Sequence, residues 1–367
     1  MLSVKDSDTR HRSIKTTNMN DKSEIRLDSG KTATVQCPVI ISASRSTDIP
    51  AFYSDWFFNR LKKGYSAWTN PYNSTKINIS YGRTKFIVFW SKNPRPLLGH
   101  LDTLDELGIG CYIQYTLNDY GDEGLEKGVP PLSQRIDTFR MLVDRLGKGR
   151  VIWRFDPLIL TDRIDEDLLL RKIEAVGDAL NGYTEKLVFS FADIVSYRRV
   201  KSNLELNGIR YTDWDEDMMR GFARELSELN KRWGYELATC GECVNLSEYG
   251  IQKNHCIDDR LIVRFGHRSK DLMEFLGAKI IQPSLFGTDV PDNAIPLDGG
   301  GLAVITQDNR DRGQREVCGC TKSKDIGEYS TCPHLCEYCY ANSSKECAIR
   351  NWRLHRQNPD AETITGR

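Results

Sequence analysis

The sequence has no excess of charge of either sign: 51 Lys and Arg balance 51 Asp and Glu in 367 residues. A binder that works through bulk attraction to nucleic acid or to an anionic membrane is therefore not expected, although a local basic patch stays open. Long apolar runs are also missing. The longest spans residues 86–90, far short of the roughly 18 needed to cross a bilayer, so no membrane partner is expected. No basic segment followed by an apolar one opens the chain, so no secretory signal is expected and the protein is read as cytoplasmic. No short-period internal repeat is apparent.

Cysteine, by contrast, is plentiful. Eleven cysteines, an odd number without an export signal, argue against a disulfide framework. Cys37 and Cys111 stand alone in apolar runs, and Cys240, Cys243 and Cys256 lie mid-chain. Cys318, Cys320, Cys332, Cys336 and Cys339 crowd together and Cys347 follows. In a reducing compartment such crowding points to metal or cluster ligation, whereas Cys37, Cys111 and Cys347 are read as ordinary thiols.

Residues 1–34 are polar without apolar periodicity and are expected to be a flexible extension. Six nearly continuous apolar runs then follow, at 39–43, 86–90, 111–117, 150–155, 186–191 and 235–239. They read as buried parallel strands. Helix signals separate them. Asp48 is placed to cap a helix carrying Pro50 in its first turn and stopping at Gly64. Pro130 and Pro131 precede a helix ending near Gly147, and Asp213 is placed to cap a helix stopping at Gly234. Alternating strands and helices predict an α/β fold with a parallel sheet, an incomplete (β/α) barrel over residues 35–265. Residues 266–317 read as an irregular connector, with a glycine triplet at 299–301 taken as a loop. Residues 318–367 read as a cysteine-rich cluster segment and tail.

Polar residues gather after every strand: Arg45 and Asp48, Lys92, Asn118, Arg154 and Asp156, Asp193, then Cys240 and Glu242. In α/β folds that end of the sheet carries the active site, although any one of these residues can simply cap the next helix. Alternation along one strand points Arg154 and Asp156 the same way. An arginine there can bind a carboxylate, or the two can form a structural pair.

The sharpest pattern is Cys332, Cys336 and Cys339 in C-x3-C-x2-C spacing, with Tyr338 just before the last cysteine. It resembles the cluster signature of radical S-adenosylmethionine (SAM) enzymes, in which three thiolates leave one iron of a [4Fe–4S] cluster open. A zinc knuckle completed by His334 or another cysteine is the alternative. The motif's late position is similar to that of a bacterial family, the domain-of-unknown-function family numbered 1848. The resemblance rests on Ser-Ala-Ser-Arg at 42–45, Thr-Asp-Ile-Pro-Ala-Phe-Tyr at 47–53 and Ile-Val-Phe-Trp at 87–90 with Lys-Asn-Pro at 92–94. Further matches are residues 150–157, Gly-Tyr-Thr-Glu-Lys at 182–186, Cys-Gly-Cys at 318–320, Asp-Ile-Gly at 325–327, Thr-Cys at 331–332 and Cys-Tyr-Ala-Asn at 339–342.

That resemblance implies a partial TIM-like radical SAM barrel whose cluster loop has moved to the C-terminal side. It implies reductive cleavage of SAM to a 5′-deoxyadenosyl radical acting on an unknown substrate, with a reductant such as flavodoxin or ferredoxin. Arg45, Asp48, Lys92, Arg154 and Asp156 are the catalytic candidates. Tyr338, Gln114, Asp193 and Glu242 are the candidates for cofactor contact, Tyr338 against adenine. Cys240, Cys256, Cys318 and Cys320 are candidates for a second site, an auxiliary [4Fe–4S] cluster or structural zinc. A different class of function, a zinc-bearing module that binds nucleic acid, draws on Arg350, Arg353 and Arg356 around Trp352. The same tail also reads as an amphipathic helix covering the barrel.

Overall fold

The computed structural model describes residues 22–70, 73, 75–282, 290–315 and 318–366. Its centre is an eight-stranded, wholly parallel sheet. The strands are β1 (Ile40–Ala43), β2 (Phe86–Ser91), β3 (Gly110–Thr116), β4 (Val151–Leu158), β5 (Lys186–Phe191), β6 (Glu236–Thr239), β7 (Ile251–Lys253) and β8 (Lys324–Asp325). Their order is β7-β6-β5-β4-β3-β2-β1-β8. From β1 to β7 each strand lies beside its predecessor, so the crossovers all step the same way with no reversal. Among the described residues no ladder joins β7 to β8. They are three and two residues long, and a single backbone bond, Thr321 N to Ile257 O at 2.8 Å, links the segments beside them.

The six apolar runs became strands because both faces are covered. By alternation Ile87, Phe89, Ile113, Trp153, Phe155, Leu187 and Phe189 pack into one core with the crossover helices. Their neighbours Phe86, Val88, Tyr112, Ile152 and Val188 pack into a second core. The first face carries α1 (Ile49–Phe52), α2 (Ser54–Lys62), α3 (Leu132–Leu146), α4 (Glu166–Leu180) and α5 (Glu216–Asn230). The second is filled by α6 (Asp259–Gly266), whose Ile262 and Val263 are fully buried there. Further along β2, β3 and β4 the second face turns polar, with Trp90, Gln114 and Arg154 at alternate positions.

Several sequence expectations are refined. The helix expected from Asp48 to Gly64 is broken at Tyr53, whose hydroxyl donates to Thr331 O at 2.5 Å. The cap of α5 is Asp215, which accepts from Met218 N at 2.8 Å, whereas Asp213 accepts from Ile194 N at 2.9 Å. Of the expected flexible extension, residues 1–21 lie outside the described residues. Residues Lys22–Arg26 and Thr32–Gln36 pair as antiparallel strands, and a four-stranded sheet forms with Tyr65–Thr69 and Lys76–Ser80. The connector expected to be irregular contains an antiparallel sheet of Ala278–Ile281, Ile295–Pro296 and Leu302–Ile305. The glycine triplet is the turn of its hairpin, with φ of 85°, 103° and 94° at Gly299, Gly300 and Gly301, a path that other residues resist. No helix among the described residues is long and apolar enough to cross a membrane.

Candidate functional site at the strand carboxyl ends

Asp48 fastens the three-cysteine loop to the sheet. Its Oδ1 caps α1 through Ala51 N at 2.9 Å and accepts from Ser91 Oγ at 2.6 Å. Its Oδ2 accepts from Lys92 N at 2.7 Å and lies 2.8 Å from His334 Nε2. The other ring nitrogen of His334 lies 3.0 Å from Gly128 O. A Cβ at Gly128 would come within 2.5 Å of His334 O, so glycine permits this approach. Burial opposes the Asp48 charge, but His334, Ser91 and the Lys92 amide hold its pKa below the usual carboxylate range. Both nitrogens of His334 are occupied, so the side chain considered as a zinc ligand serves here as an anchor.

Beside that anchor lies a buried polar cluster. Lys92 Nζ donates to Glu126 Oε1 at 2.8 Å and to Tyr338 OH at 2.9 Å. Asn118 Nδ2 reaches the same two atoms at 3.2 and 3.0 Å, and Tyr338 OH donates to Glu126 Oε1. Burial penalises the Glu126 carboxylate, yet Lys92 and Arg135 overcome it and bring the pKa down to about 2. Lys92 moves the opposite way: burial works against its charge, and Glu126 and the nearby Cys336 raise it.

Cys332, Cys336 and Cys339 stand in this surrounding and influence one another electrostatically. Burial pushes all three thiols up. Among the described residues no three His, Cys, Asp or Glu side chains stand preassembled round one ion. Neutral thiols pack as ordinary side chains, and a bound cation is what ionises them. In donor type and number, three sheltered sulfurs with a half-buried lysine beside Cys336 fit an iron–sulfur cluster that keeps one position open.

A second thiol group lies on the second face of the sheet, beside Arg154. Arg154 Nε donates to Asp156 Oδ2 at 3.1 Å and Nη1 to Gln114 Oε1 at 3.1 Å, and Ser190 Oγ donates to Asp156 Oδ1. The two residues expected to point the same way thus form a pair. Gln114 Nε2 in turn holds Cys256 O at 2.8 Å. Arg154 Nη1 is 3.5 Å from Cys256 Sγ, which lies 3.0 Å from Cys240 Sγ. Hydrogen bonds from Cys240 and Cys320, aided by Arg154 and Arg45, pull the Cys256 thiol down, while the same bonds push Cys240 and Cys320 up.

Arg45 and Arg154 each place a guanidinium 5.4 Å from the Trp90 ring centre. Asp193 and Glu242 are not drawn into this surrounding. Asp193 is exposed and accepts from Ser196 N at 3.2 Å; Glu242 accepts from Cys243 N at 2.8 Å in a turn. Trp352, on α7 (Lys345–Gln357), packs edge-on against Phe52 and Tyr53, which occupies the ring that the nucleic-acid reading would offer to a base. Sequence reasoning missed Glu126, which sits in a loop without periodicity, and left Asn118 outside the site although it follows a strand. It also missed Asp325. Its carboxylate accepts from Ser42 Oγ at 2.8 Å, Ser44 Oγ at 2.7 Å and Arg45 N at 3.0 Å, tying β8 to the end of β1.

A protein-family model described as Domain of unknown function (DUF1848) matches residues 40–341. No curated protein and no solved structure matches the chain.

Proposed function

Since the chain belongs to the DUF1848 domain family, whose description carries no activity, we propose a function from the site itself: a radical SAM-type enzyme acting on a substrate bound at the strand carboxyl ends. The observation that carries this reading is the docking of the three-cysteine loop, through Asp48 and His334, onto the ends of β1 and β2. The sequential, unreversed strand order supports a partial (β/α) barrel as the scaffold.

Cys332, Cys336 and Cys339 would hold a [4Fe–4S] cluster. When bound, that cluster would supply reductive cleavage of SAM to methionine and a 5′-deoxyadenosyl radical, with electrons from a flavodoxin- or ferredoxin-type donor. The remaining work falls to side chains of this chain. Lys92, held charged by Glu126, offsets negative charge at Cys336. Tyr338 has its hydroxyl fixed by Lys92 and Asn118, and its buried ring packs edge-on against Tyr120 with the Lys92 ammonium over it, so it positions Lys92 and Glu126 beside the cysteine loop. Arg45, whose guanidinium has no carboxylate at hydrogen-bond distance among the described residues, can take the carboxylate of SAM or of the substrate. Gln114, Arg154 and Asp156 line the mouth, and Asp193 and Glu242 stand outside it.

The test is anaerobic incubation of the reconstituted chain with SAM and dithionite, followed by chromatography for 5′-deoxyadenosine. Wild type should produce it. Cys332→Ala, Cys336→Ala and Cys339→Ala should each abolish it while far-UV circular dichroism stays unchanged, because apolar burial along the sheet supplies the stability. A fully loaded wild type that neither binds nor cleaves SAM would reject the proposal.

A further inference from the structure

We propose that Cys240, Cys256, Cys318 and Cys320 form a second metal site, a thiolate clasp that joins the two free edges of the parallel sheet. The proposal goes beyond the SAM reading and does not depend on it. Cys240 follows β6, Cys256 follows β7, and Cys318 and Cys320 precede β8. The chain thus delivers thiols from both edges to one place, although Cys240 and Cys320 are 80 positions apart.

The contacts are close. Cys256 Sγ lies 3.0 Å from Cys240 Sγ. Ile257 N is 3.4 Å from Cys320 Sγ, and Asn254 Nδ2 is 3.3 Å from Cys256 Sγ. Cys318 packs half-buried on the same apolar cluster. Among the described residues the sulfurs do not already surround one point. A tetrahedral ion with bonds of about 2.3 Å sets its sulfurs about 3.8 Å apart, so the Cys240–Cys256 pair needs to separate by under about 1 Å, within reach of rotation about each Cα–Cβ bond.

Two independent features point to a metal centre here. The first is cationic surroundings. Arg154 Nη1 lies 3.5 Å from Cys256 Sγ, and Arg45 feels Cys320, Asp325, Cys256 and Cys318, with no carboxylate at hydrogen-bond distance from its guanidinium among the described residues. A sheltered guanidinium favours negative charge beside it. A divalent ion with four thiolates carries 2 − 4 = −2, and a four-iron cluster in its 2+ state carries the same. The second is the Cys-Gly-Cys turn. A Cβ at Gly319 would sit 2.2 Å from His255 Nε2, so glycine lets the turn lie close against the residue next to Cys256. Tetrahedral sulfur donors take zinc or iron–sulfur, and the two share this chemistry.

The experiment uses the full chain carrying Cys332→Ala, Cys336→Ala and Cys339→Ala, which removes the other site. After anaerobic purification, metal and acid-labile sulfide are counted per chain. One centre per chain should remain: zinc without sulfide identifies a single ion, iron with matching sulfide a cluster. Adding Cys240→Ala or Cys320→Ala should lower bound metal at least tenfold, whereas adding Cys243→Ala, an exposed thiol outside the group, should leave it unchanged. Circular dichroism checks folding. As a measurement free of substitution in the clasp, a chelator should speed amide exchange at residues 251–257 and 318–325 several-fold more than elsewhere in the sheet. A metal-free chain, a Cys240–Cys256 disulfide in its place, or metal that survives loss of both Cys240 and Cys320 would overturn the proposal.

Discussion

A buried charge pair gives the clearest test at the level of single residues. Glu126 is fully enclosed and its charge is balanced by Lys92 and Arg135. Glu126→Gln leaves the Lys92 ammonium buried without its counter-charge, and breaking such a pair costs about 3–5 kcal/mol. Urea unfolding of the two proteins at neutral pH measures it. The pH dependence follows from the sign of the shift. The folded carboxyl titrates near 2, below its ordinary 4.5, so its contribution is complete above about pH 4.5 and is lost as the pH falls toward 2. The stability gap between wild type and Glu126→Gln should therefore narrow over that interval and stay flat above it. The cysteines were legible because their spacing is a local property. Glu126 was not, since its role depends on a lysine 34 positions away and nothing in a loop marks it.

Among the elements, α1 and the cysteine loop stand or fall together through Asp48. Asp48→Ala removes the helix cap, worth about 1 kcal/mol, and strips partners from Ser91, the Lys92 amide and His334, at about 1–3 kcal/mol for each group left buried and unpaired. A loss of at least about 4 kcal/mol is expected. Amide exchange should rise most at residues 331–340 and least in β4 and β5, and equal acceleration everywhere would contradict the anchoring role. Gly128→Ala should displace the same loop by steric contact with His334 O without touching any charge. The six long strands were readable because both faces are buried, which makes them continuous apolar runs. β7 and β8 are too short to show a pattern. The misassigned cap of α5 has a simple cause: Asp213 and Asp215 are two residues apart, and only backbone direction at Asp215, with φ −95° and ψ 172°, decides which one starts the helix.

For the molecule as a whole, the edge formed by β1 and β8 matters most. Asp325 fixes β8 there by accepting from Ser42, Ser44, Arg45 and Gly327. Asp325→Ala should cost about 3 kcal/mol, from several hydrogen bonds to one charged group, and should raise exchange in β1 more than in β2; the reverse order would show that β1 is secured from the other side. The α/β class and the parallel sheet were legible from the alternation of runs. The second covering of the sheet by α6 and its antiparallel neighbour was not, because no short-range pattern says where a late segment docks. The pairing of β1 with β8 also shapes how the protein is made. Ser42 and Asp325 are separated by 283 positions, and at about 5–20 residues per second a ribosome needs about 15–60 s to travel between them. For that interval the nascent chain carries β1 with one side unpaired, an open template for other growing chains. The three-cysteine loop emerges later still, so a group held there would enter only after every strand of the sheet has been synthesised.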